Sequence, residues 1–211
     1  MERYLNRRHR VEVAVGGCFI AAIVATNIIA AKLIDVFGTT FNVGALVYPF
    51  TFLLTDVLSE VFGKQAARLW VWLGFFASLI VTGFVYLGGL IPESQYSQVG
   101  DCYQTMFSAT PRIVFGSMLA YLTAQTLDVR LFHWIRGKTN GRHLWLRNNV
   151  ATSVSQGVDT LVFCTVAFLG VVPLPVLVGM VLGQYLVKVA MAIADTPLCY
   201  GAVWFVRRII R

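Results

Sequence analysis

The chain has 211 residues, of which 57% are apolar even with glycine uncounted and 13% are charged, about half the charged share usual in soluble proteins. A soluble fold of this length cannot hide that much apolar side chain, whereas six membrane-spanning helices of about 20 residues each would absorb it. The net charge of +7 would suit a nucleic-acid binder, but the places where the 17 basic residues fall exclude that reading and mark one side of a membrane.

Apolar stretches predict spans at 11–34, 45–62, 68–91, 112–134, 149–171 and 175–206. The first follows the basic segment MERYLNRRHR. Its apolar run is too long for the core of a signal peptide and no convincing cleavage site follows, so it is expected to stay as an anchor. With the N-terminus inside, the inner segments collect Arg3, Arg7, Arg8, Arg10, Lys64, Arg68, Arg130, Arg136, Lys138, Arg142, Arg147, Arg207, Arg208 and Arg211. Lys32, Arg112 and Lys188 complete the set of 17. Because Lys and Arg concentrate in cytoplasmic loops, both termini are expected in the cytoplasm. The fold class is all-α integral membrane: one domain over 1–211, a single bundle of six transmembrane helices.

The stretch 92–111, PESQYSQVGDCYQTMFSATP, is read as a solvated outer connection, with a lid over an outward cavity as the alternative. Cys18, Cys102, Cys164 and Cys199 have no metal-ligand spacing and are read as structural. No metal or cofactor is expected. There is no phosphate-cradling glycine loop or nucleotide-binding domain, so the chain shows no ATP engine of its own.

Polar residues inside the spans carry the functional reading, since a charge at the bilayer centre costs at least about 2.5–3.5 kcal/mol and calls for a partner or a watery cavity. Asp56 and Glu60 lie four apart in TDVLSEVFGK, on one helical face. Gln125 and Asp128 lie three apart in the fourth span, as do Gln156 and Asp159 in the fifth. Lys188 follows Gln184 by four residues in the sixth, and Asn27, Lys32 and Asp35 close the first. At a rise of 1.5 Å per residue, Asp56 and Asp159 both fall about 15 Å deep, near the midplane, with Gln125 and Lys188 at about 20 Å from the outer surface. Spans 2, 4, 5 and 6 are thus expected to bring their polar groups to the level where transporters bind substrates.

Plainer readings compete. Glu60, Lys64 and Arg68, four apart, also suit an ion-pair ladder at a helix end, and Asp128 can pair with Arg130 or Arg136. Lys188 can be neutralised by Asp159 or Asp195 alone, but a paired lysine beside surplus carboxylates and amides exceeds what packing needs. Arg112, next to Pro111, reads as an interface anchor. Ala21 and Ala25 have the spacing that lets helices approach closely, for internal packing or for docking another membrane subunit.

The runs YPFTFLLTDVLSEVFGKQAAR, PRIVFGSMLAYLTAQTLDVRLF and LWLRNNVATSVSQGVDTLVF resemble the queuosine precursor transporters of the vitamin-uptake-transporter group, which is related to the substrate-binding subunits of energy-coupling-factor importers. The resemblance covers all six spans. It implies a six-helix inner-membrane protein, multi-pass with both termini cytoplasmic. Its implied cargo is 7-cyano-7-deazaguanine, 7-aminomethyl-7-deazaguanine or both, for tRNA queuosine modification.

A deazaguanine offers N1–H and an exocyclic amine to a carboxylate, and a carbonyl to an amide or ammonium. Asp159 or Asp56, Gln156 or Gln125, and Lys188 supply that set, and a cationic aminomethyl group would use a further carboxylate such as Glu60, so these six are the expected substrate-binding residues. The resemblance of the matched runs adds Arg112, Asp128 and Asn148, and less distinctively Asn27, as secondary candidates. The expected partners are the deazapurine and membrane lipid, with a homo-oligomer or an energy-coupling module left open and no nucleic acid. A substrate-binding subunit driven by a separate ATP-dependent module is the alternative. An intramembrane enzyme is more remote, because no nucleophile–base constellation appears.

Overall fold

The computed structural model describes the backbone of all residues except 1, 37, 98, 139–143 and 211. The side chains of 2–6, 128–129, 132–133, 136, 144–149, 151–152, 191–197 and 200 also lie outside the description. The elements run α1 (Glu2–Ile29), β1 (Leu33–Val36), β2 (Thr39–Asn42), α2 (Gly44–Phe62), α3 (Lys64–Leu90), α4 (Gly100–Phe107), α5 (Thr110–Lys138), α6 (Leu144–Phe168) and α7 (Leu174–Ile210). The six expected spans fall largely on α1, α2, α3, α5, α6 and α7. Among the described residues, Arg7–Ile29, Gly44–Phe62 and Lys64–Leu90 are long and apolar enough to cross a membrane, and Ser153–Phe168 and Leu174–Ala190 are shorter apolar helical stretches.

Two local expectations are corrected, and one connection gains a helix. The first span does not run helically to residue 34: α1 stops at Ile29 and the chain turns into a β1–β2 hairpin. Its sequence, LIDVFGTTFN, is rich in β-branched and aromatic residues around Gly38, whose φ of 75° suits the turn. Thr40 donates to Asp35 across the hairpin at 2.7 Å. The fold is therefore helical with one small sheet.

The outer connection, in turn, contains α4. Tyr103 donates to the Val85 carbonyl at 2.8 Å and Gln104 to that of Gly89, so α4 is fastened to the end of α3. The other correction concerns Glu60, Lys64 and Arg68, which do not form a ladder along one helix. Gly63, at φ 98°, ends α2 and begins α3 between them, and i,i+4 pairing needs a continuous helix.

The chain divides into two compact units, one of 1–34, 42–111 and 190–211, the other of 35–41 and 112–189. In the first, small residues let α1, α2 and α3 pack closely. A Cβ on Gly74 would touch Ile23 and Phe19 at 3.0 and 3.1 Å, and Gly44 lies against Thr26 and Ala30. Val57 of α2 packs with Val203, Val206 and Ile210 of α7. In the second unit, Gly116 of α5 meets Val166 of α6, Gly157 of α6 meets the ring of Tyr185, and Thr39 and Phe41 of β2 rest on Gly183 of α7.

Both units are apolar on the outside. Along α3, Leu69, Leu73, Phe76, Ile80, Phe84 and Leu87 are exposed while Gly74 and Ser78 are buried. Along α7, Leu174, Val178, Leu182 and Leu186 face outward while Gln184 is buried. A helix that hides its amide and shows its leucines is matched to lipid, not to water.

Candidate functional site

Helices α6 and α7 are consecutive, joined through residues 169–173, where Gly170 adopts φ 80° and Leu169 bridges to Val172. So short a link makes them antiparallel neighbours. Their facing sides carry polar groups. Asp159 of α6 is 8% exposed, and Lys188 Nζ of α7 donates to its Oδ2 at 2.6 Å. This is the ion pair that the sequence offered as the plainer role for Lys188. Pairing is what keeps either charge tolerable away from water, and removing one partner of such a pair typically costs about 3–5 kcal/mol.

Around the pair the hydrogen bonding is incomplete. Gln156 Oε1 and Gln184 Nε2 are buried with no partner, and the whole Gln184 residue is 4% exposed. A buried polar atom left unpaired typically costs about 1–3 kcal/mol. The contact of Gly157 with the Tyr185 ring and the Lys188–Asp159 pair bracket the register: position 184 falls between the levels of 158 and 163, within about 6 Å of Asp159 and about 3–10 Å of Gln156 along the axis. One carboxylate, one ammonium, one open amide acceptor and one open amide donor therefore lie on the same stretch of two facing helices, a donor–acceptor set suited to a small polar ring.

The other sequence candidates fall differently. Asn27 is buried and donates through Nδ2 to Ser78 Oγ at 3.2 Å, tying α1 to α3. Asp56 and Glu60, in the first unit, are exposed, and the Glu60 carbonyl accepts from Arg207. Gln125, in the second unit, is exposed on α5. Arg112 donates through Nε to the Val166 carbonyl and through Nη2 to that of Leu169. It satisfies carbonyls at the C-terminal end of α6, where a cation also complements the helix dipole. The side chains of Asp128 and Asn148 lie outside the described residues. Among the described residues no group of three His, Cys, Asp or Glu is gathered to hold a metal ion.

Two residues were not singled out for a role by the sequence. Gln184 carried a usable signal, its position one turn before Lys188 on the same face. Asn42 is buried and its Oδ1 accepts from the Ala45 N–H at 2.9 Å, starting α2. The cue was an Asn placed directly before an apolar run.

The family described as putative vitamin uptake transporter matches residues 42–202. A probable queuosine precursor transporter of Bacillus subtilis (strain 168) is 40% identical over 183 residues, covering 86% of this chain and 80% of that protein. The queuosine precursor transporter of Escherichia coli (strain K12) is 27% identical over 150 residues, 71% of this chain and 65% of that one. A probable queuosine precursor transporter of Haemophilus influenzae (strain ATCC 51907 / DSM 11121 / KW20 / Rd) is 32% identical over 126 residues, 59% of this chain and 51% of that one. No solved structure matches.

Proposed function

Because the chain belongs to the putative vitamin uptake transporter family, we propose that it imports queuosine precursors, 7-cyano-7-deazaguanine or 7-aminomethyl-7-deazaguanine or both, and that it performs transport rather than catalysis. It is a multi-pass membrane protein. Its proposed setting is the inner membrane, with six spans in one domain and both termini cytoplasmic, as the distribution of Lys and Arg supports. Impermeant thiol labelling of exposed Cys102 from outside intact cells tests that orientation. Labelling only after membrane disruption reverses it.

The observation that carries the substrate reading is the polar layer of α6 and α7, a buried ion pair beside buried amide atoms with no partner. We assign Asp159 as acceptor for the ligand's N–H groups, Lys188 as the counter-ion that holds Asp159 ionised, and Gln156 as a neutral partner, with Gln125 of the same unit as a further contributor. Asp56 and Glu60, one turn apart and exposed on α2, are proposed as a separate carboxylate pair that attracts the cationic aminomethyl form.

Uptake of 7-cyano-7-deazaguanine into liposomes that contain only this chain tests the function, and accumulation above protein-free liposomes is expected. One observation favours a second reading, a binding subunit for a separate ATP-driven module: Ala21 and Ala25 are exposed while Ala22 of the same helix is buried. Binding without uptake by the chain alone would select that reading. Neither binding nor uptake of either deazaguanine would overturn both.

A further inference from the structure

We propose, resting on the import function above, that Gln184 contacts the ligand and determines specificity: its Nε2 donates to the ring carbonyl while Gln156 Oε1 accepts from the adjacent ring N–H. The residue is 4% exposed and its Nε2 has no partner. It lies on the inward face of α7 that also buries Leu177 and Met180, so apolar side chains fit along this face and an amide is not needed for packing. The helix backbone does not satisfy it, and the buried Oε1 of Gln156 on the facing helix is open as well.

One open donor on α7 and one open acceptor on the same stretch of α6 form the complement of a cyclic amide, in which N–H and C=O are neighbours. The Lys188–Asp159 pair does not supply this recognition by itself, since each charge already answers the other at 2.6 Å. The two amides would read the lactam edge, and Asp159 Oδ1 would be left to the exocyclic amine. A ring with an amino group in place of the carbonyl would set donor against Gln184 Nε2 and a ring nitrogen lone pair against Gln156 Oε1. A site built to hydrogen-bond a group discriminates strongly against analogues that lack it.

The test uses the purified full chain and two probes, 7-cyano-7-deazaguanine and its analogue without the ring carbonyl oxygen. The unaltered protein is expected to bind the first at least tenfold more tightly. Gln184→Met is expected to lose about tenfold or more in affinity for the first probe while binding the analogue as before, so that the preference shrinks by that factor and what remains is the share of Gln156, whose Oε1 meets a ring nitrogen without hydrogen in the analogue. Its ligand-free melting temperature is expected to stay level or rise, because the substitution removes an orphaned amide. A variant that keeps the full preference, or that weakens both probes equally, overturns the inference and leaves the import function standing. If Gln184→Met does not fold, Gln184→Leu removes the donor without adding a charge and must shrink the preference in the same way. Failure of the unaltered protein to prefer the carbonyl-bearing probe overturns the inference, and failure to bind either probe overturns the import function with it.

Discussion

The two units differ in what accompanies their buried polar atoms. In the first, Asn27 and Ser78 answer each other across α1 and α3, the Thr26 hydroxyl donates to the Ala22 carbonyl one turn back, and Asn42 Oδ1 accepts from the Ala45 N–H. Two described side-chain atoms there stay buried and unpaired, Asn42 Nδ2 and Thr110 Oγ1, each at the start of a helix. In the second, α6 and α7 bury an ion pair in mid-helix and leave one atom of each of two glutamines open on the same two helices. A closed polar contact inside a membrane protein holds helices together and has little left to offer a ligand. An open one is a standing destabilisation that packing does not explain, and binding would relieve it.

The largest expected effect comes from breaking the ion pair. Lys188→Met leaves the Asp159 carboxylate buried alone and is expected to cost about 3–5 kcal/mol, read as a loss of folded, monodisperse protein or a steep fall in melting temperature. The double variant Asp159→Leu with Lys188→Met is expected to regain most of that stability, because two apolar groups replace the pair, but to bind no deazaguanine. Asp159→Asn is expected to weaken 7-cyano-7-deazaguanine roughly tenfold to over a hundredfold, the equivalent of about 1.5–3 kcal/mol. A stable double variant that binds like the parent would reduce the pair to a packing device and erase the contrast between the units.

The sequence made Asp159, Gln156 and Lys188 legible because helical spacing is a local rule: residues three or four apart share a face whatever surrounds them. Whether that face is inward is decided by the neighbouring helix, which spacing does not reveal. Asp56 and Asp159 looked alike by depth, yet Asp56 is exposed and Asp159 buried. Arg112 was legible as a helix-end anchor but not as the donor to α6 carbonyls, since its partners lie more than fifty positions away. The hairpin and the break at Gly63 were missed for another reason. Hydropathy sums apolar character without regard to conformation, and LIDVF is as apolar in a strand as in a helix.

Smaller effects should fall in the first unit and leave ligand affinity unchanged. Gly63 holds φ 98° and ψ 161° between α2 and α3, a positive-φ extended conformation essentially reserved for glycine that costs a side chain about 1–3 kcal/mol. Gly63→Ala is therefore expected to lower the melting temperature with no change in the binding of 7-cyano-7-deazaguanine. Asn27→Ala deletes one partner of a closed hydrogen bond and is expected to cost about 0.5–1.5 kcal/mol, with Asn27→Leu combined with Ser78→Ala nearer to neutral. If either change in the first unit weakened binding tenfold at unchanged stability, ligand recognition would not be confined to the second unit. Asp56→Asn is the variant best placed to reveal that.

The smallest expected effect is a pH dependence at the start of α4 in the same unit. The carboxylate of Glu93 accepts from the Gly100 N–H at 2.8 Å, at the start of α4, where negative charge also complements the helix dipole. A hydrogen bond from Ser97, and after it the one from Gly100, hold its pKa below the ordinary value of 4.5. A carboxylate whose pKa is depressed by folding stabilises the folded form above its unfolded pKa, and that contribution disappears as pH falls through the lower, folded value. Hydrogen exchange of the α4 amides, corrected for the intrinsic pH dependence of exchange, should therefore show protection at neutral pH that declines below the ordinary glutamate range. Glu93→Gln should remove the decline and lower the plateau, with 7-cyano-7-deazaguanine affinity the same in both proteins. Identical exchange profiles in parent and variant would show that the tyrosine and glutamine contacts of α4 to α3 hold this helix without the carboxylate.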